Sequence, residues 1–163
     1  APLNFSRISS NFNPRRLHPV LRQVRPHRGI DYAAPVGTAV YAAGDGRVTK
    51  SAYDKYTGHH VFIQHPGGIV TKYLHFNKRL VNKGQSVRQG QTIGTVGATG
   101  RVTGAHLHYE FVVNGVHRNP RTVPLPKAEP LLDEKLARFQ VEAAPLQNRL
   151  GRLESASLYA ARE

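Results

Sequence analysis

The chain has 163 residues, a hydrophobic share of 39% and a charged share of 20%, which is the profile of one globular domain with a short appendage. It has no Cys, so disulfides and thiolate metal sites are excluded, and no apolar run approaches the roughly 18 residues of a membrane-spanning helix. With 23 Lys and Arg against 10 Asp and Glu, the formal charge is +13. A field of that sign favours anionic polymers such as nucleic acid, acidic lipid surfaces or the carboxylate-rich bacterial wall.

In chain order, residues 1–26 are basic and carry Pro14, Pro19 and Pro26, so an extended segment wrapping the core is expected rather than a long helix. From Ile30 to about Val116, short runs rich in Val, Ile, Thr, Tyr and Phe alternate with Gly-containing breaks. The predicted strands are 38–42, 46–49, 61–64, 70–74, 92–96 and 107–113. Turn chemistry separates them at Gly44-Asp45-Gly46, Pro66-Gly67-Gly68, Asn82-Lys83-Gly84 and Asn114-Gly115, the last a two-residue hairpin signal. No amphipathic helix interrupts this stretch, so the expected architecture is mainly β, an antiparallel sheet rather than βα units. After Pro124-Leu125-Pro126 the composition turns to Ala, Leu, Glu and Arg. Glu129 to Val141 has helical spacing, with Leu132, Leu136 and Phe139 on one face, and Pro145 is expected to start a second helical piece. The expected division is a domain over 1–126 and a helical appendage over 127–163.

Nine His are present, and their placement matters more than their number. In a strand, His106 and His108 of His106-Leu107-His108 point to the same face, as does Glu110, a candidate partner for one of them. His27-Arg28-Gly29-Ile30-Asp31 offers an imidazole and a carboxylate, two donors of the kind a catalytic zinc takes. Tyr73-Leu74-His75 sets a further imidazole at a strand end. Each element is weak evidence alone. The remaining histidines (His18, His59, His60, His65, His117) read as structural residues, Tyr73 and Tyr109 as packing residues, and Asp45 and Asp54 as turn residues.

Together and in order, three strings carry more: 27–40 (HRGIDYAAPVGTAV), 72–75 (KYLH) and 97–110 (GATGRVTGAHLHYE). In these the sequence closely resembles the LytM/lysostaphin-type zinc metallopeptidases, and the run from Leu80 to Gly94 is similar to that family's linking segment. The opening segment from Ser6 to Pro19 resembles the Gram-negative murein endopeptidase branch. The resemblance covers about residues 5 to 125. It implies a compact antiparallel β fold with a narrow groove, a single zinc, and hydrolysis of peptidoglycan peptide cross-links, in that branch the D-alanine–diaminopimelate bond. It implies metal ligation by His27, Asp31 and His108, and catalytic roles for His75 and His106 that the sequence leaves undivided. Tyr73, Thr99 and Thr103 are candidates for substrate contact. It implies a periplasmic or envelope location and an upstream regulatory or wall-binding region. Three rivals stand beside this reading. An amidase activator with the same fold has no use for a complete ligand set. A nucleic-acid binder should interleave aromatics with its basic residues, which this chain does not. A carboxypeptidase trimming terminal D-alanine would need the same metal.

Overall fold

The computed structural model describes residues 2–4, 7–16, 24, 26–124 and 133–160, with side chains of the last stretch described over 135–150. Its contacts divide the chain into two units, Ala1–Val123 and Pro124–Glu163.

The first unit is built on strands β1 (Arg7–Ser10), β2 (Ile30–Ala33), β3 (Ala39–Tyr41), β4 (Gly46–Asp54), β5 (Gly58–Gln64), β6 (Ile69–Arg79), β7 (Ser86–Val87), β8 (Thr92–Val96), β9 (His106–Val113) and β10 (Val116–Arg118). They form one sheet with the main order β1-β2-β9-β6-β5-β4-β7; β10 joins β9, while β3 and β6 both pair with β8. Every pairing is antiparallel. The turns fall where the sequence puts them. Asn114 and Gly115 have φ of 49° and 80°, the left-handed pair that a tight β9–β10 hairpin requires. Strand β4 runs five residues beyond its apolar start, because Asp54 closes the next turn by accepting N–H bonds from Tyr56 and Thr57.

Alternation places Val61, Ile63, Tyr73, Phe76, Leu107 and Tyr109 in the core. The opposite face of β6 and β9 is left for polar groups, Lys72 on β6 and His106, His108 and Glu110 on β9. Besides β10, which only the hairpin signal announced, three strands lie outside the predicted runs: β1 and β7, where four exposed-to-intermediate residues and a two-residue pair offer no apolar period to read, and the four-residue β2.

Strand β6 holds the decisive irregularity. Up to Leu74 it pairs with β9, ending at Leu74 opposite His108; from Phe76 onward it pairs with β8. Between them His75 adopts φ 66°, a conformation costly for a residue with a Cβ. The left-handed residue lets β6 leave one neighbour and take up another, and it lies where β8 and β9 meet through the Gly97–His106 bridge.

In the second unit a single helix α1 spans Asp133–Ala160 and passes through Pro145. This corrects the expectation that Pro145 begins a new helix. Proline removes one helical hydrogen bond at about 3 kcal/mol, and the strong helix formers on both sides carry the helix across it. Leu136 and Phe139 are exposed; Glu129 to Leu132 lie outside the described residues, as does His18.

Candidate metal centre and active site

Strand register brings the ligand candidates together. Asp31 on β2 lies directly opposite His108 on β9, and Ala33 opposite His106. His27 precedes β2 and is fixed by an isolated bridge to Asn13, with its N–H to Asn13 O at 2.8 Å and its own carbonyl accepting from Asn13 N at 3.0 Å. The N-terminal segment thus sets a site residue as well as an edge strand.

Three donor atoms converge. His108 Nδ1 is 2.7 Å from Asp31 Oδ1, His27 Nε2 is 3.1 Å from the same oxygen, and the two ring nitrogens are 3.2 Å apart. A tetrahedral ion with bonds of about 2.0–2.1 Å sets its ligands about 3.3 Å apart, so the three atoms already stand near the spacing such an ion needs. The nitrogens away from that point are also engaged. His27 Nδ1 donates to Asn11 O at 2.7 Å, which leaves Nε2 with its lone pair toward the cluster. His108 Nε2 faces Glu110 Oε1 at 3.3 Å. Two imidazole nitrogens and a carboxylate oxygen, with outer partners on both rings, suit zinc. Among the described residues this trio is the group so arranged.

Electrostatics follow from the crowding. Burial opposes ionisation of Asp31, yet hydrogen bonds from His108 and His27 outweigh it and hold the carboxyl well below the usual range. Burial also opposes charge on His108, but hydrogen bonds to Asp31 and Glu110 prevail and raise it to about 9. Glu110 is pushed up by burial and pulled down further by His108 and Lys72, to about 2. Its Oε2 lies 2.9 Å from both Lys72 Nζ and His117 Nε2. Glu110, a candidate partner for His106 or His108 in the sequence, serves His108 and pairs with Lys72. His117, read as structural, belongs to this outer network.

The two further histidines flank the trio. His106 lies with its ring 5.0 Å from that of His75, and His106 Nε2 is 3.8 Å from Asp31 Oδ1. His106 Nδ1 donates to Gly104 O at 2.9 Å, and His75 Nδ1 to Thr99 O at 2.9 Å. Each therefore keeps an acceptor Nε2. Burial dominates at His75 and lowers its pKa to about 4, with the Thr99 contact opposing and His106 and His108 reinforcing.

The substrate-contact candidates divide. Tyr73 does not line the site: it is fully buried, and its hydroxyl accepts from Ala43 N at 2.9 Å and bonds Thr71 Oγ1 at 3.0 Å. The inward face of β6 takes it into the core, where burial pushes the phenol up to about 12. The Thr99 side chain is also committed, donating to Phe76 O at 2.7 Å and accepting from His59 N at 3.0 Å. Thr103 is exposed. Two of the other histidines have structural partners: His65 bridges Asp45 O and Thr71, and His60 bonds Thr57 and Gly58 O.

The Peptidase family M23 model matches residues 25–120. The chain belongs to this family. M23 relatives include the peptidoglycan DD-endopeptidase ShyC of Vibrio cholerae serotype O1, 57% identical over 160 residues, 98% of this chain and 37% of that protein. The DD-carboxypeptidase/endopeptidase Mpg of Neisseria meningitidis serogroup B is 46% identical over 136 residues, 83% of this chain and 31% of that protein. A crystal structure of a zinc-containing peptidase from Vibrio cholerae superposes with a TM-score of 0.75 at 44% identity, covering 77% of this chain and 39% of that one. The M23 chain spans about a third of the length of the curated relatives it matches.

Proposed function

We propose that this M23 chain is a zinc-dependent endopeptidase that cuts peptide cross-links of bacterial peptidoglycan, at the D-alanine–diaminopimelate bond, in the cell envelope. The observation that carries the reading is the convergence of His27 Nε2, Asp31 Oδ1 and His108 Nδ1 beside two imidazoles with free acceptor nitrogens. His27, Asp31 and His108 would hold the zinc, which when bound supplies a Lewis acid for the scissile carbonyl.

The protein's own groups do the rest. His106 takes a proton at Nε2, since Gly104 O fixes its other nitrogen as donor and the ring stands beside the ligand cluster. His75 stays neutral and offers Nε2 as an acceptor that orients the nucleophilic water, its ring held by Thr99 O and by its own left-handed backbone. Glu110 keeps the His108 ring in place. The complete set of five speaks against a purely activating role, which needs no ligands. Trimming of a terminal D-alanine uses the same groups, and the likeness to Mpg favours keeping it as a second activity.

The test is digestion of purified Gram-negative peptidoglycan, with products weighed by mass spectrometry and zinc content measured for each variant. Conversion of cross-linked dimers to monomers is expected for the unaltered chain. His108→Ala should lose both zinc and activity, while His106→Ala and His75→Ala should lose activity and keep zinc. A zinc-loaded chain that leaves every muropeptide intact would overturn the reading.

A further inference from the structure

Helix α1 carries a pattern that the metal centre does not use. Leu136, Phe139, Ala143, Leu146 and Leu150 recur at alternating steps of three and four residues. That is the a/d repeat of a helix suited to pack lengthwise on another helix. The four large residues of this seam are between 38% and 62% exposed, so the seam stands open among the described residues. Pro145 occupies an outer position of the repeat, off the seam.

The flanking residues indicate what covers it. Lys135, Glu142 and Arg149 hold the g positions along one side, and Gln140 and Gln147 the e positions along the other. Among the described residues neither Glu142 nor Arg149 takes part in an ion pair. In an antiparallel pair of such helices, a positions meet d positions, g meets g and e meets e. The charges at g and e then set partner and orientation.

Two copies of α1, laid antiparallel about a two-fold axis midway between Ala143 and Leu146, match along the whole seam. Phe139 meets Leu150 of the second copy, and Ala143 meets Leu146 of the second copy, so the small side chain is set against a large one. Glu142 faces Arg149 of the second copy, and Gln140 faces Gln147 of the second copy. Symmetry makes each of these contacts twice. A parallel pair does worse, because Ala143 would face Ala143 across a gap and Glu142 would face an uncharged Gln147. A closed dimer needs one patch that complements itself, and the antiparallel seam meets that condition in shape and in charge.

We propose that α1 is the docking surface for a second copy of this chain, joined as an antiparallel helix pair. The seam is independent of the metal centre, so the proposal stands whether or not the chain cuts peptidoglycan. A dimer carries two β units in one particle and can grip a polymer at two points.

Sedimentation velocity of the whole chain, over micromolar to submillimolar concentrations, is expected to show a monomer–dimer equilibrium. Glu142→Arg and Arg149→Glu each turn two attractive pairs into two repulsive ones. Each should weaken the dimer about tenfold, with helix content unchanged by circular dichroism. Mixing the two variants restores opposite charges at both pairs, and a heterodimer as tight as the parent dimer is expected. The variant carrying both exchanges should also recover the dimer. A parent that stays monomeric throughout overturns the proposal, and co-sedimentation of that monomer with anionic lipid vesicles would assign the seam to a membrane instead. A dimer untouched by either exchange, or variants that fail to pair on mixing, places the contact elsewhere and sinks it equally.

Discussion

Glu110→Gln isolates the carboxylate behind His108 without altering shape. Glu110 Oε1 faces His108 Nε2 at 3.3 Å while Oε2 is shared by Lys72 and His117, both at 2.9 Å. The amide can still accept one hydrogen bond, but the negative charge that polarises the His108 ring is gone, and Lys72, its side chain 25% exposed, loses its counter-ion. Outer carboxylates on metal-binding histidines are worth about 10–100-fold in affinity, or about 1.4–2.8 kcal/mol. Zinc affinity should fall by that factor in competition with a chromogenic chelator. Asp45→Asn removes the same unit of charge at a turn and serves as the control, since among the described residues the Asp45 carboxylate accepts from Gln89 N alone. A zinc Kd within about twofold of the parent, in a protein melting normally, would refute the orienting role assigned to Glu110. A matching fall in Asp45→Asn would instead trace the effect to net charge.

Other consequences can be checked separately. His75 is held to about 4 chiefly by burial, so its ring signals should not titrate between pH 7 and 5; a midpoint near 6.5 would contradict the burial argument. Because the folded value is depressed, His75 costs stability as pH falls from 6.5 toward 4, so the parent should lose stability relative to His75→Ala across that window. Tyr73→Phe strips the partly buried Ala43 N–H of its acceptor and should cost about 1–3 kcal/mol in denaturant unfolding, with KM unchanged; a raised KM would return Tyr73 to the substrate groove. Gly94→Ala would place a Cβ 2.5 Å from the Phe76 ring and 2.6 Å from Lys78 O, and should cost about 1–3 kcal/mol, read as a lowered melting temperature.

The sequence disclosed the candidate metal centre through spacing alone at one point only. His106, His108 and Glu110 alternate along one strand, so their common face follows from the pleat. That Asp31 should stand opposite His108 depends on the β2–β9 register, which local pattern cannot supply; the family resemblance bridged that gap. Nor could periodicity show that His75 turns left-handed, because the turn is imposed by a strand changing neighbours. Tyr73 reads both as a packing residue and as a candidate for substrate contact, and its burial supports the first. It is two residues from His75 in sequence, but the break falls between them, and Tyr73 stays on the core side. Lys72 and His117 went unread because their shared carboxylate is reached across β6, β9 and β10.

The engagement of the acids has an effect on how the β unit behaves as a polyelectrolyte. Asp54 and Glu110 are held to about 2 and Asp31 lower still, so mild acidification neutralises none of these three. Residues 1–123 carry 17 Lys and Arg against four acids, so the excess of cations persists under mild acid, and with it the attraction for any polymer whose own charge survives at that pH. Ionic strength, which screens such contacts within about 10 Å at 0.1 M, is the variable that loosens the hold.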